Sequence, residues 1–412
     1  MPSRRSLSIA SVVLAALVVG FGNSASPEGT TSDTLISILV SLQRWTPWMW
    51  GNDHRFGQLV PALTLWATTP AMTFAAQTTL TAGAGFAAIY AIGAYLELPA
   101  QAAPAAATFW LLVDRHVGMN WLAMSQSYSV SVALGVAAML VIGKRWWATH
   151  LAAALIALAF WVNSGVGTIL IPLWLARQVL LEKQRRGYEL IAVALVASVQ
   201  VAEMAYLRHV SSEPRYTQTV PLSMCGNAVA WAAGRIREAG RLWLSIVALV
   251  GFPRTRRQSA LVALAAMTLI PVAINAWVYA NLEDPRYFVF PMIAMTLSAG
   301  AGLPARAWLW RGPPTALPLM AVAVFGLPSL GGVRQQLLEM APQAKAIDES
   351  RCTLLVGPYW QMWPNLIGAL QLRLERGDQL PLYGLGVHGE GAMPLIQAMP
   401  QDEINACRME GS

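Results

Sequence analysis

Long apolar runs, parted by short stretches that hold most of the charge, constrain this chain more than any other feature. A hydrophobic segment of about 20 residues spans the hydrocarbon core of a bilayer as a helix. In lipid the backbone must satisfy its own hydrogen bonds, so such runs cannot be loops. Composition agrees: 56% of the 412 residues are hydrophobic and 12% are charged. A soluble domain carries roughly a quarter charged residues. No strict alternation runs through the segments, which argues against a transmembrane β-barrel. The expected fold class is an all-α polytopic membrane protein.

The net charge of +7 concerns orientation and not nucleic acid. No basic stripe with interleaved aromatics lies on a polar segment. Instead the basic residues cluster between apolar runs, as topology determinants do. The clusters are Arg4-Arg5, Lys144-Arg145, Lys183 with Arg185-Arg186, Arg254 with Arg256-Arg257, and Arg306 with Arg311. Placing all five in the cytoplasm requires an even number of spans between neighbours. Spans near 147–162 and 164–181, turning at Asn163, meet this condition. So do spans near 188–207 and 240–253 around an exported 208–239, and spans near 259–280 and 286–303 around Asn281–Arg286. In the first interval Leu7–Gly22 leads out, 69–96 in, 98–113 out and 129–143 in. That leaves 55–68, with Pro61 and Pro70, as an exported membrane-hugging helix. A last span near 314–330 exports the tail, for about eleven spans in all. The N-terminal run also fits a signal peptide with small residues at Asn23-Ser-Ala-Ser. An uncleaved first span is preferred because so many spans follow.

The expected organisation is a transmembrane domain, 1–330, with exported loops 23–68 and 208–239, followed by an exported α/β domain, 331–412. In the first loop Ser32 or Asp33 suits a helix cap before Leu35-Ile-Ser-Ile-Leu-Val. In the second, Ala228 to Arg241 reads as an amphipathic helix on the membrane surface. The tail offers a strand at Cys352–Gly357, a helix around Trp363–Glu375 and a strand at Leu380–Leu385. Cys352 and Cys407 both fall in this tail, where an oxidising compartment would let a disulfide persist. Two buried free thiols are the alternative, and Cys225 is left over in either case. No CxxC or His/Cys spacing suggests a metal site.

The polar residues that most need explaining are in the first loop. Asp33 stands at a helix start, and Trp45-Thr-Pro-Trp-Met-Trp-Gly-Asn-Asp53-His-Arg-Phe-Gly-Gln58 follows. Aromatics beside acid, base and amide groups suit carbohydrate, whose C–H faces stack on rings while its hydroxyls need directed hydrogen bonds. On these residues alone an interfacial aromatic belt, with Asp53 and Arg55 paired, is the preferred reading. Glu203, near the outer end of an apolar run, is a functional candidate by position, with Arg208 close enough to pair with it. His116, beside Asp114 and Arg115, reads as a loop residue.

The stretch from Ser32 through Leu65 resembles the first luminal or periplasmic loop of GT-C glycosyltransferases. It is most similar to that of bacterial membrane proteins related to dolichyl-phosphate-mannose protein mannosyltransferases. Those chains carry an Asp soon after the first span, then a pattern like Trp-Gly-x-Asp-Arg-Phe-Gly-x-Leu-x-Pro. Here it reads Trp50-Gly-Asn-Asp53-His54-Arg55-Phe-Gly-Gln58-Leu-Val-Pro61, with His54 inserted. Asp284-Pro-Arg286-Tyr287-Phe-Val-Phe-Pro291 resembles an Arg-Tyr-x-x-x-Pro element at the start of a late span. Gly357-Pro-Tyr359-Trp360-Gln-Met-Trp363-Pro364 resembles a Tyr-Trp-x-x-Trp-Pro element of the exported tail.

The resemblance implies a transferase that takes sugar from a polyprenyl-phosphate-linked donor to an acceptor hydroxyl, with inversion. The reaction would lie on the outer face of a bacterial inner membrane, with the C-terminus extracytoplasmic. The acceptor hydroxyl must lose its proton as it attacks, and a carboxylate within hydrogen-bond reach can take it. By match to the family, Asp33 is the first candidate base and Asp53 the second. A guanidinium can hold the leaving phosphate bidentately, which nominates Arg286, with Arg55 as alternate. Trp50, His54, Gln58 and Tyr287 are candidate substrate contacts. Partners would be the lipid-linked donor, membrane lipids, and a lipid, glycan or protein acceptor, with no nucleic acid. Some members need a divalent metal, Mg or Mn, and no closed ligand set is evident here. Two other classes stay open. One is a catalytically silent partner of the same fold. The other is a lipid or solute transporter, for which deep charges and matching halves are the expected signs.

Overall fold

In the computed structural model the described residues are 4–27, 32–43, 45–47, 57–111, 128–142, 145–180, 187–210, 218–239, 253–280, 288–303, 316–386 and 404–409. They form two compact units. One comprises residues 1–15, 83–121 and 128–324, and the other 16–82, 122–127 and 325–412.

The first unit is helical. It takes the start of α1 (Arg4–Ser24) and the back of α4 (Pro70–Tyr95). It continues with α5 (Ala102–Leu111), α6 (Tyr128–Val141), α7 (Trp146–Val162), α8 (Gly167–Leu175) and α9 (Gly187–Val210). After these come α10 (Cys225–Ala239), α11 (Arg256–Ala273), α12 (Ala276–Ala280) and α13 (Val289–Gly302). Asn163 breaks the chain between α7 and α8 as expected, its side chain accepting from the Gly165 amide at 2.8 Å. The helix expected at 228–241 is α10, beginning three residues earlier. The expected span at 240–253 is mostly outside the described residues. Of that expected at 98–113, α5 occupies Ala102–Leu111, and 112–113 lie outside the described residues.

Small residues let these helices approach closely, as they do where lipid supplies no hydrophobic drive between helices. A Cβ on Gly300 of α13 would be 2.5 Å from the Ala102 carbonyl of α5. Gln258 of α11 donates to the Ser298 carbonyl of α13 at 3.3 Å. Ser129, Ser131, Thr268, Thr296 and Ser298 are buried, while Trp146 is 75% and Val201 68% exposed. Polar groups inside and large apolar groups outside suit helices whose solvent is lipid. Trp146 and Trp147 follow Arg145 directly, which fits an interfacial aromatic pair.

Against the expected eleven spans, one described stretch, Ala316–Glu339, is long and apolar enough to cross a membrane, with mean hydropathy 1.8. Shorter apolar helices occupy 9–24, 102–111, 128–141, 146–162, 193–202 and 289–302. The long stretch is itself interrupted, as α14 (Ala316–Phe325) and α15 (Leu330–Glu339). Gly326 takes φ +78 between them, Pro328 follows, and the Ser329 hydroxyl accepts from the Gly332 amide to start α15. We therefore count α15 with the tail.

The second unit joins α2 (Ser32–Leu42), α3 (Leu59–Leu63) and the front of α4 to the chain after Val324. Residues of the first loop and of the tail belong together in this unit. Its tail contains α15, α16 (Ala344–Glu349), β1 (Leu354–Gly357), α17 (Tyr359–Glu375), β2 (Tyr383–Gly386) and β3 (Ala406–Arg408). The sheet order is β2-β1-β3, all parallel, with α17 as the crossover that parallel strands require. The central β1 is a Leu-Leu-Val run, as a strand covered on both faces should be. β1, α17 and β2 match the sequence expectation within a few residues, and β3 adds a third strand to it.

One apolar core runs through this unit. Leu35, Ile36, Leu39 and Phe74 meet Leu337, Leu355, Trp363 and Leu366 there. α17 packs so tightly on the α15–α16 connection that a Cβ on Gly368 would be 2.4 Å from the Ala341 methyl. Arg373 is fully buried beside the Asp348 carboxylate, Nε to Oδ1 3.6 Å, and points its other nitrogens at the carbonyls of Ile347, Leu380 and Pro381. Arg376 completes the cluster, Nη2 to Asp348 Oδ1 at 2.6 Å.

Candidate functional site

α2 carries the first candidate base. An apolar run of Leu, Ile and Val with Ser32-Asp33-Thr34 at its head makes a short helix. The helix is described from Ser32, which puts Ser32 and Asp33 in its first described turn, and residues 28–31 lie outside the described residues. Unpaired N–H groups and the helix dipole favour a carboxylate in that turn. The Asp33 side chain is outside the described part. From Asp33 to Leu42 the helix rises about 13 Å at 1.5 Å per residue, so Asp33 and the motif-bearing loop leave α2 from opposite ends.

That loop has a closed neck. The Gln58 amide donates to the Pro47 carbonyl at 3.1 Å. The Trp45 indole donates to the Gln58 carbonyl at 2.9 Å. Gln58, a candidate contact, is buried at this neck. Trp50, Asp53, His54 and Arg55 lie outside the described residues, as do Arg286 and Tyr287. Glu203 falls on α9, with its side chain and that of Arg208 outside the described part. His116 is outside the described residues altogether.

Beneath the neck is a buried polar network that the sequence reading missed. The Gln77 amide of α4 donates to the Ser37 carbonyl, Ser41 Oγ and Thr64 Oγ1 at 3.0, 2.8 and 3.2 Å. Its oxygen accepts from the Ser37 hydroxyl at 2.8 Å. Ser41 also reaches the Pro61 carbonyl at 3.1 Å. These atoms tie α2, α3 and α4 together where water does not compete, so each bond restricts the geometry strongly. The signal was present: Ser37 and Ser41, one turn apart on an apolar helix, share a face.

The tail is bonded to the same framework. Gln43 donates to the Leu382 carbonyl, just before β2, at 2.9 Å. The Gln371 side chain of α17 accepts from the Ala71 amide at 2.9 Å, satisfying a free donor in the first turn of α4. Tyr359 meets Trp360 and Trp363 edge-on, with centroids 5.2 and 6.1 Å apart. Trp363 is fully buried in the core shared with α2, while Trp360 is 69% exposed. Trp363 is therefore a core residue, while Trp360 rests edge-on against Tyr359 and is otherwise exposed.

Cys352 and Cys407, for which the sequence left a disulfide and two free thiols equally open, are both free thiols in the structure. No group of His, Cys, Asp or Glu suited to a metal occurs among the described residues.

No family model matches the chain, and no curated protein matches it. A solved structure, the arabinofuranosyltransferase AftD from Mycobacteria determined by single-particle cryo-EM, is similar over 92% of this chain. Its sequence identity is 16% and its TM-score 0.42. The chain spans 32% of that protein's length.

Proposed function

We propose that the chain is a polytopic membrane glycosyltransferase of the GT-C type, acting on the extracytoplasmic face of a bacterial inner membrane. It moves a sugar from a polyprenyl-phosphate-linked donor to an acceptor hydroxyl with inversion at the anomeric carbon. Asp33 takes the acceptor proton, with Asp53 as second choice, and Arg286 or Arg55 holds the departing lipid phosphate. Trp50, His54, Gln58 and Tyr287 contact substrate. The observation that carries this reading is the shared core of the second unit. It unites two elements about 300 residues apart that separately resemble the family. The Asp33 helix packs on the helix that starts at Tyr359, Gln43 just after it donates to the Leu382 carbonyl, and Gln371 of the Tyr359 helix accepts from the Ala71 amide. A transferase with its base on one segment needs such a rigid frame, because small misplacement of the base costs rate steeply.

The test is sugar transfer by purified full-length protein from a panel of polyprenyl-phosphate sugars. Asp33→Asn is expected to lower turnover by about 10²–10⁴-fold while donor binding persists. Full activity in both Asp33→Asn and Asp53→Asn would sink the mechanism. No turnover by wild type with any donor and acceptor would favour the silent-partner reading.

A further inference from the structure

One reactive pair stands outside this chemistry. Cys352 sits in the turn before β1 and is fully buried, whereas Cys407 is the middle residue of β3 and only half-buried. β1 and β3 are neighbours, with Leu355 opposite Cys407. Both cysteines meet at Ser350. Its hydroxyl is 3.2 Å from the Cys407 sulfur and accepts from the Cys352 amide at 3.4 Å. Ser350 thus sets the Cys407 thiol beside the turn that holds Cys352, whose own sulfur is 3.9 Å from the Ile347 carbonyl.

β3 is a weakly held element. It is three residues long and lies at the sheet edge. Its hold on β1 includes the bonds from the Thr353 and Leu354 amides to the Asn405 carbonyl and from the Met409 amide to the Val356 carbonyl. Yet it brings Met409 and Cys407 against the core that contains α2. A covalent tie between β3 and the start of β1 would change the stability of that edge more than any noncovalent contact there.

We propose that Cys352 and Cys407 are a redox pair whose oxidation to a disulfide locks β3 onto the core of the second unit. Burial, with Cys407 close by, pushes the Cys352 thiol above its ordinary value, so Cys352 is the poorer first nucleophile. The order of events follows. Cys407, as thiolate, attacks the disulfide of an exported thiol–disulfide oxidoreductase or of a small disulfide, and one thiol departs. Cys352 then gives up its proton and attacks the Cys407 sulfur, displacing the second thiol. Two protein thiols become one disulfide, and two electrons and two protons leave with the oxidant as a pair of thiols. The exported tail of the proposed function supplies the oxidising compartment, but the pairing itself does not depend on that topology.

The experiment treats purified full-length protein in detergent with oxidised glutathione, then alkylates free thiols and maps peptides by mass spectrometry. The expected product links Cys352 to Cys407 and leaves Cys225 alkylated. Amide exchange at 407–409 should slow by about tenfold or more relative to the same protein after reduction, in keeping with the usual effect of a disulfide on local opening. This comparison needs no mutant; Cys407→Ser serves as a control that should abolish both effects. Alkylation of both Cys352 and Cys407 after oxidation, a link through Cys225, or unchanged exchange at β3 would each overturn the inference. A pair that oxidises in the tube but is reduced in cells would support it and count against the exported tail.

Discussion

Both units bury apolar and polar side chains together, but they differ in some of the side chains they turn outward. In the first, hydroxyls and amides such as Ser129, Thr296 and Gln258 are buried while Trp146, Leu151 and Val201 face outward. In the second, Leu35, Trp363 and Leu366 are buried and the charges of Lys345, Glu349 and Arg334 are exposed. Outward apolar side chains such as Trp146 and Val201 suit apolar surroundings, and outward charges such as Lys345 and Glu349 suit water. Within the second unit, Leu63 at the end of α3 and Leu65 and Trp66 just after it are exposed, which fits the membrane-hugging role expected for 55–68.

The comparison breaks most sharply at the buried charge cluster. Asp348→Ala strands Arg373 in a core and should destabilise the second unit by about 3–5 kcal/mol, read as loss of protected amides in α17. A negligible effect would mean that water reaches Arg373. A somewhat smaller effect is expected on the first unit's outer face. Val201→Lys should cost about 2.5–3.5 kcal/mol on the membrane-insertion scale and reduce insertion of the α9 segment. If it instead improves behaviour in water, the outward apolar face does not meet lipid.

Close packing should matter in both units. Ala is ordinarily about 1 kcal/mol better than Gly inside a helix. Overpacking should reverse that sign, at about 1–3 kcal/mol, for Gly368→Ala and Gly300→Ala. The Gly300 variant should be the worse, because its new methyl meets a backbone carbonyl and not alanine methyls. Thermal unfolding of both variants in one detergent makes the comparison.

The smallest effect belongs to the surface. Arg334 donates to both oxygens of Glu375, Nη2 to Oε2 at 2.9 Å. This pairing, with a further bond from Gln371, holds the Glu375 carboxyl below its ordinary value of 4.5. A depressed carboxylate stabilises the fold above its unfolded value and loses that contribution as pH falls through the folded one. Glu375→Gln should therefore cost about 0.5 kcal/mol at neutral pH and almost nothing below the folded value. A cost that persists in acid would assign the effect to packing.

How much of this was legible in advance differs by element. α1, α4, α7 and the β1–α17–β2 order follow from apolar run length and from punctuation by Pro, Gly and charge, which act within a few residues. β3 was not legible: Asn-Ala-Cys-Arg-Met has little strand character, and it is paired because β1 offers an open edge. The Ser37–Ser41–Thr64–Gln77 network was half legible, since the serine spacing shows a shared face but not what meets it. The sequence motifs likewise nominated Asp33, Asp53 and Arg286 by type and order, without a distance between them.

By itself, then, the sequence determined the local matters: where helices run, which stretches prefer lipid and which residues are chemically able. Those follow from hydrophobicity and backbone propensity, which are short-range. Only the tertiary structure decided that the first loop and the tail form one unit, that Trp363 is buried while Trp360 is exposed, and that Cys352 and Cys407 meet at Ser350. These are contacts across up to about 300 residues of chain, set by the joint burial of surfaces that no local pattern encodes.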